Sequence, residues 1–142
     1  MLSSIAINGV VHVSGSGTEL TVGPGASVTS DKDRSIYADG ASVVISGGEV
    51  TNTKASNGAG VRGANGATIT VSSGIIRSTG RYSMCIYGQY SDIYISGGML
   101  TAAEADGTGV DYGRGIYCYA SADNTLTITG GTIRANGNNA CG

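Results

Sequence analysis

The sequence predicts an all-β chain folded as a right-handed parallel β-helix, a β-solenoid of about five coils of about 25 residues with three short strands per coil. Three observations carry this. A two-residue signature, Ile36-Tyr37, Val61-Arg62, Ile86-Tyr87 and Ile116-Tyr117, returns at spacings of 25, 25 and 30 residues. Each copy is followed by a segment in which apolar and polar residues alternate. Each alternating segment then gives way to a Gly-containing turn. A repeat of this length cannot bury its own apolar face, so successive units must stack and cover one another.

The 142 residues fit a single domain, 1–142, in which 1–34 form irregular first coils and 35–142 four clear repeats. In the first stretch Ile5-Ala6-Ile7, Val11-His12-Val13, Leu20-Thr21-Val22 and Ser27-Val28 supply alternating beats, with Gly23-Pro24-Gly25 as a corner. From Ile36 onward each repeat has three beats. The first is the signature pair. The second is a strand of period two: Val43-Val44-Ile45, Ile69-Thr70-Val71, Ile93-Tyr94-Ile95 and Leu126-Thr127-Ile128. The third is Glu49-Val50, Ile75-Ile76, Met99-Leu100 and Thr132-Ile133. Between second and third stand Ser46-Gly47-Gly48, Ser72-Ser73-Gly74, Ser96-Gly97-Gly98 and Thr129-Gly130-Gly131, a corner where glycine supplies positive φ. The longer third unit takes its extra residues between Glu104 and Gly115, where an insertion loops out without breaking the ladder. Strict six-residue beats, the mark of left-handed solenoids, are missing, and parallel crossovers prefer the right hand.

Composition narrows the function. The chain has 25 Gly, one Pro, eight Tyr, no Phe or Trp, and 13% charged residues, but its regularly placed Val, Ile and Thr argue for order. Net charge is −2 and the eight Lys and Arg are scattered, which speaks against nucleic acid as a partner. No apolar run is long enough for membrane insertion, and Met1 to Gly9 lack the basic and apolar regions of a signal peptide, so a secreted form would carry its leader elsewhere.

The segments Gly115-Ile116-Tyr117, Leu126-Thr127-Ile128-Thr129-Gly130-Gly131-Thr132-Ile133 and Val44-Ile45-Ser46-Gly47-Gly48 resemble the repeats of bacterial extracellular right-handed β-helix proteins of the pectate-lyase-like superfamily, its carbohydrate-binding and cell-surface members above all. The resemblance covers residues 36–142 and rests on degenerate motifs that carry architecture better than activity. It implies a protein that is secreted or held at the cell surface and meets polysaccharide, in some members through calcium.

If Ile36, Val61, Ile86 and Ile116 point inward, alternation sends Tyr37, Arg62, Tyr87 and Tyr117 outward in one column with steps of about 4.8 Å. Flat rings with hydroxyl tips suit sugar, Arg62 can lie over its neighbours, and Tyr90 and Tyr119 would widen the surface. An outward aromatic ladder also stabilises a solenoid without any ligand. Asp31, Asp33 and Asp39 in one loop, with Asp106 and Asp111 in the insertion, offer carboxylates for calcium, although neither stretch has the spacing of a calcium loop, and solvated loop charges account for both. No catalytic constellation surrounds the single histidine, His12, which reads as structural or exposed, so no enzyme is expected. Cys118 reads as a core residue; register puts Cys85 and Cys141 beyond disulfide reach of their neighbours and leaves Cys141 free or intermolecular. With no polar cap at either end, the chain is either a piece of a longer helix or stacks end to end. Three functions fit: a non-catalytic binding or display module for polysaccharide, a structural subunit that self-assembles through its uncapped coils, and a polysaccharide lyase or hydrolase fragment.

Overall fold

A computed structural model of the chain describes residues 5–102, 112–119 and 123–136. Among them there is no helix. The strands follow in order as β1 (Ala6–Asn8), β2 (Val11–Ser14), β3 (Glu19–Val22), β4 (Ser27–Ser30), β5 (Arg34–Asp39), β6 (Ser42–Asn52), β7 (Ala59–Ser78), β8 (Met84–Ile95), β9 (Met99–Ala102), β10 (Arg114–Cys118), β11 (Thr125–Ile128) and β12 (Thr132–Ala135). Every strand pairing is parallel. The chain is a parallel β-solenoid.

The pairings form three ladders, one for each side of the coil. On the first, β2, β5, β7, β8 and β10 stack Val11, Ile36, Val61, Ile86 and Ile116 above one another. On the second, β3, β6, β7, β8 and β11 stack Leu20, Val43, Ile69, Ile93 and Leu126. On the third, β1, β4, β6, β7, β9 and β12 stack Ile7, Val28, Val50, Ile76, Leu100 and Ile133. Five layers on the first side therefore enclose four complete turns. The early segments Val11–Ser14 and Glu19–Val22 join these ladders in the same register as the later repeats.

The three sides are present in each coil, but the bends between them stay inside the ladder. β7 runs from Ala59 to Ser78 through all three sides as one strand. Register shifts between Ala64 and Ala67, and around Ser46, absorb the corners as bulges, so neighbouring coils bend together and keep their backbone groups paired. The inward rows fill the tube. Val43, Ile69, Ile93, Val50, Ile76, Leu100, Ile36, Val61 and Ile86 are all fully buried. Each such side chain contributes about 1.5–3 kcal/mol by leaving water.

Where the third side returns to the first, the interior turns polar. Asn52 is fully buried and donates from Nδ2 to the Lys32 carbonyl at 2.9 Å and to Ser35 Oγ at 3.3 Å, while its Oδ1 accepts from the Lys54 amide at 3.2 Å. One coil on, Ser83 Oγ donates to the Ser78 carbonyl at 3.0 Å and Ser78 Oγ to the Gly58 carbonyl at 3.3 Å. These side chains satisfy backbone groups that the bend takes out of the ladder.

Cys118 packs against the core as the sequence predicts, but less deeply than Cys85. Cys118 is half-buried in the last coil, paired in register with Gly88, whereas Cys85 lies inside β8 and is fully buried. The reason is layer position: Cys85 has coils on both sides, and Cys118 does not have a described strand above it. Both are free thiols. Burial pushes the Cys85 thiol up to about 12, and its Sγ donates to the Ile76 carbonyl at 3.5 Å, so it is an inert core group. Cys141 lies outside the described residues.

Candidate functional site

The first side of the solenoid carries the expected outward column, and it is longer than the repeat signature foretold. Cα partners run His12, Tyr37, Arg62, Tyr87 and Tyr117 through five successive layers. Their inward neighbours are apolar and their own side chains half-buried, apart from the exposed His12. Parallel stacking holds each outward side chain close above the next, so rings meet face to face. His12 stacks on Tyr37 with ring centres 4.9 Å apart and planes 26° from parallel, and Tyr87 stacks on Tyr117 at 5.5 Å and 12°. Arg62 bridges the gap between the pairs, its guanidinium carbon 5.7 Å from the Tyr37 ring centre and 5.0 Å from that of Tyr87.

Two further arginines cover the rings from within their own strands. Arg34 sits 4.7 Å over Tyr37, and Arg114 sits 4.7 Å over Tyr117. Beside the upper part of the column a second pair, Tyr82 and Tyr112, stacks at 5.1 Å and 9°. Sequence reasoning missed His12, Arg34, Arg114, Tyr82 and Tyr112, although the signals were there. Val11-His12 precedes Ile36-Tyr37 by the same 25 residues as the later signatures, Arg-x-x-Tyr occurs at both Arg34 and Arg114, and Tyr82 to Tyr112 repeats the 30-residue step of Tyr87 to Tyr117. Tyr90 and Tyr119 do not extend the column. Both are exposed, at 47% and 42%, and neither ring stacks on it. Tyr90 has a φ of 53° at the bend leaving the first side and borders a separate hollow with Gly66, Asp92 and Asp123.

At the foot of the column a groove of about 480 Å³ opens between Val10, His12, Tyr37, Arg34, the Asp31 to Asp33 loop and Lys54. Its carboxylates are already engaged. Asp31 pairs with Lys32 at 3.0 Å and Asp33 with Lys54 at 2.5 Å, and the hydrogen bond from each lysine holds its partner's carboxyl below the usual carboxylate range. Asp39 accepts from Asn65 Nδ2 at 2.6 Å. Among the described residues no group of three or more His, Cys, Asp or Glu converges on a point where a metal ion would sit. Asp106 and Asp111 lie outside the described residues.

The face thus offers stacked aromatic rings, guanidinium carbons 4.7 to 5.7 Å from ring centres, and a concave end. Aromatic faces and N–H donors side by side are groups that can contact a ring-containing ligand. No helix among the described residues is long and apolar enough to cross a membrane. Comparison with protein-family models, with curated proteins and with solved structures yields no match to this chain.

Proposed function

We propose that the chain is a non-catalytic β-solenoid module of the extracellular right-handed type found in the pectate-lyase-like superfamily, and that it presents a binding surface for polysaccharide at the cell surface or in the medium. The observation that supports this reading is the continuous column His12, Tyr37, Arg62, Tyr87 and Tyr117, whose rings stack in two pairs at 4.9 Å and 5.5 Å. The apolar faces of sugar rings lie against aromatic rings, and their hydroxyls meet the polar tips. The column repeats with the coil, as a polymer repeats with its monomer.

A glycan array read with the wild type and with a Tyr87→Ala, Tyr117→Ala double variant tests it. Each lost ring contact is worth about 0.5–1.5 kcal/mol, so the variant is expected to bind about tenfold more weakly or worse while retaining its circular dichroism. Equal binding by both proteins, or binding by neither, removes the proposal.

A second reading, a structural subunit that assembles end to end, draws on the last coil. Leu126 and Ile128 occupy inward positions but are 44% and 50% exposed, against 0% and 1% for Ile93 and Ile95 one layer below. A coil of a second copy laid on them would cover that row. Light scattering across a concentration series is then expected to show growing assemblies, and a monomer at every concentration ends this reading.

A further inference from the structure

Asn-Gly occurs at four places in the sequence, 8–9, 57–58, 65–66 and 136–137, of which the last reaches outside the described residues at Gly137. This dipeptide carries chemistry of its own. The glycine amide nitrogen can attack the side-chain carbonyl of the asparagine before it, because no Cβ on the glycine stands in the way. The five-membered succinimide closes only where that nitrogen can swing onto Cγ, so a backbone committed to its neighbours resists the reaction.

The fold decides which of the three described pairs has that freedom. At Asn8-Gly9 the attacking nitrogen is held, since it donates to the Thr29 carbonyl at 2.7 Å while Asn8 pairs with Thr29 in the ladder. At Asn57-Gly58 the chain is pinned from both sides. The Asn57 amide donates to the Arg81 carbonyl at 2.8 Å, the Gly58 carbonyl accepts from the Met84 amide at 2.8 Å, and the Ala59 amide donates to the Asp33 carbonyl at 2.9 Å. Gly58 is also buried, so close to the Asn52 side chain that a Cβ on it would clash.

Asn65-Gly66 differs in each respect. Both residues are exposed, and nothing lies within 4 Å of a Cβ built on Gly66. The ladder passes them by: the coil below pairs Asp39 with Ala64 and then Ser42 with Thr68, and the coil above pairs Gln89 with Ala64 and then Ser91 with Ala67. The Asn65 side chain is tied to the coil below by a bond from Nδ2 to Asp39 Oδ1 at 2.6 Å.

We propose that Asn65 is a site of spontaneous modification in the folded protein, deamidating through a succinimide closed by the Gly66 nitrogen, and that the fold spares Asn8 and Asn57. The Gly66 nitrogen bonds to Cγ and gives up its proton, the Cγ–Nδ2 bond breaks, and Nδ2 leaves with that proton as ammonia. Water then opens the ring, at Cγ to give aspartate or at the backbone carbonyl to give isoaspartate. The inference goes beyond the polysaccharide reading and stands without it. Either product sets a second carboxylate against Asp39 where a donor had been, and like charges that close repel. Isoaspartate also adds a backbone atom between the paired Ala64 and Ala67, so conversion loosens this corner of the coil.

The experiment incubates wild-type protein at mildly alkaline pH, folded in buffer and unfolded in urea, and follows Asn8, Asn57 and Asn65 by peptide mapping with mass spectrometry. Isoaspartate is read separately by methyl transfer from an isoaspartyl methyltransferase. In urea the three sites are expected to convert at similar rates. In buffer Asn65 is expected to convert about tenfold faster than Asn8 or Asn57, where ring closure must first break backbone hydrogen bonds. Conversion of Asn8 or Asn57 as fast as that of Asn65 in the folded protein overturns the proposal, and so does an Asn65 that converts in urea but stays intact in buffer. The converted fraction, separated by its added negative charge, is expected to unfold at a lower urea midpoint than the unconverted one, with a gap that narrows in salt and that Asn65→Asp reproduces in part. Equal midpoints for the two fractions overturn the loosening.

Discussion

Replacing Ile69 by alanine is expected to lower the unfolding free energy by about 2–5 kcal/mol, a large share of what a domain of this size possesses. Ile69 is fully buried in the row Leu20, Val43, Ile69, Ile93 and Leu126, with a coil both below and above it. Truncation removes its transfer free energy and leaves a void between Val43 and Ile93. The ladder bonds on either side hold the coils at a fixed spacing, so neighbours cannot collapse to fill it. Urea unfolding followed by circular dichroism should show a lower midpoint at an unchanged slope. A loss under about 1 kcal/mol would mean that the tube interior is loosely filled, against the burial observed. The matching change at Leu126, 44% exposed in the last coil, should cost far less.

Gly74→Val is expected to be the more damaging of the corner substitutions. Gly74 has a φ of 91°, a conformation that costs a β-branched residue about 1–3 kcal/mol. A Cβ there would also stand only 2.4 Å from the Gly48 carbonyl oxygen and 3.1 Å from the Gly48 nitrogen, backbone atoms of the coil below that have no rotamer with which to give way. Strain and clash act together, so a loss of about 3–5 kcal/mol or failure to fold is expected from expression and thermal unfolding. Gly66→Ala serves as the control. Its φ of 82° carries the strain, but nothing lies within 4 Å of the added carbon, so its smaller loss isolates the conformational part. Equal losses at the two sites would show that the close approach of coils contributes nothing.

The repeat made most of the fold legible. Spacings of 25 and 30 residues placed Ile36, Val61, Ile86 and Ile116 in one column before any coordinates, because a parallel ladder with a side-chain period of two leaves that alignment almost no freedom. The same period put Tyr37, Arg62, Tyr87 and Tyr117 on the outside. It was less telling at the corners, where Ser46 pairs with Ser73 across a register shift, since bulges depend on how two bent backbones settle against each other and leave no mark in composition. Cys85 and Cys118 show another limit. Both lie beside strand signatures, yet one is sealed and the other half-open, because burial depends on which layers lie above and below.

Hydrophobic alternation and glycine placement were therefore sufficient to determine a parallel solenoid, its apolar interior and the identity of its outward column, all of which follow from local periodicity. What required the folded chain was the condition of that column: Arg62 set between the Tyr37 and Tyr87 rings of the neighbouring coils while Lys54 goes to Asp33. Long charged side chains choose partners by distance across coils, and residues 21 or more positions apart along the chain, such as Asp33 and Lys54, become neighbours only once the coils are superposed.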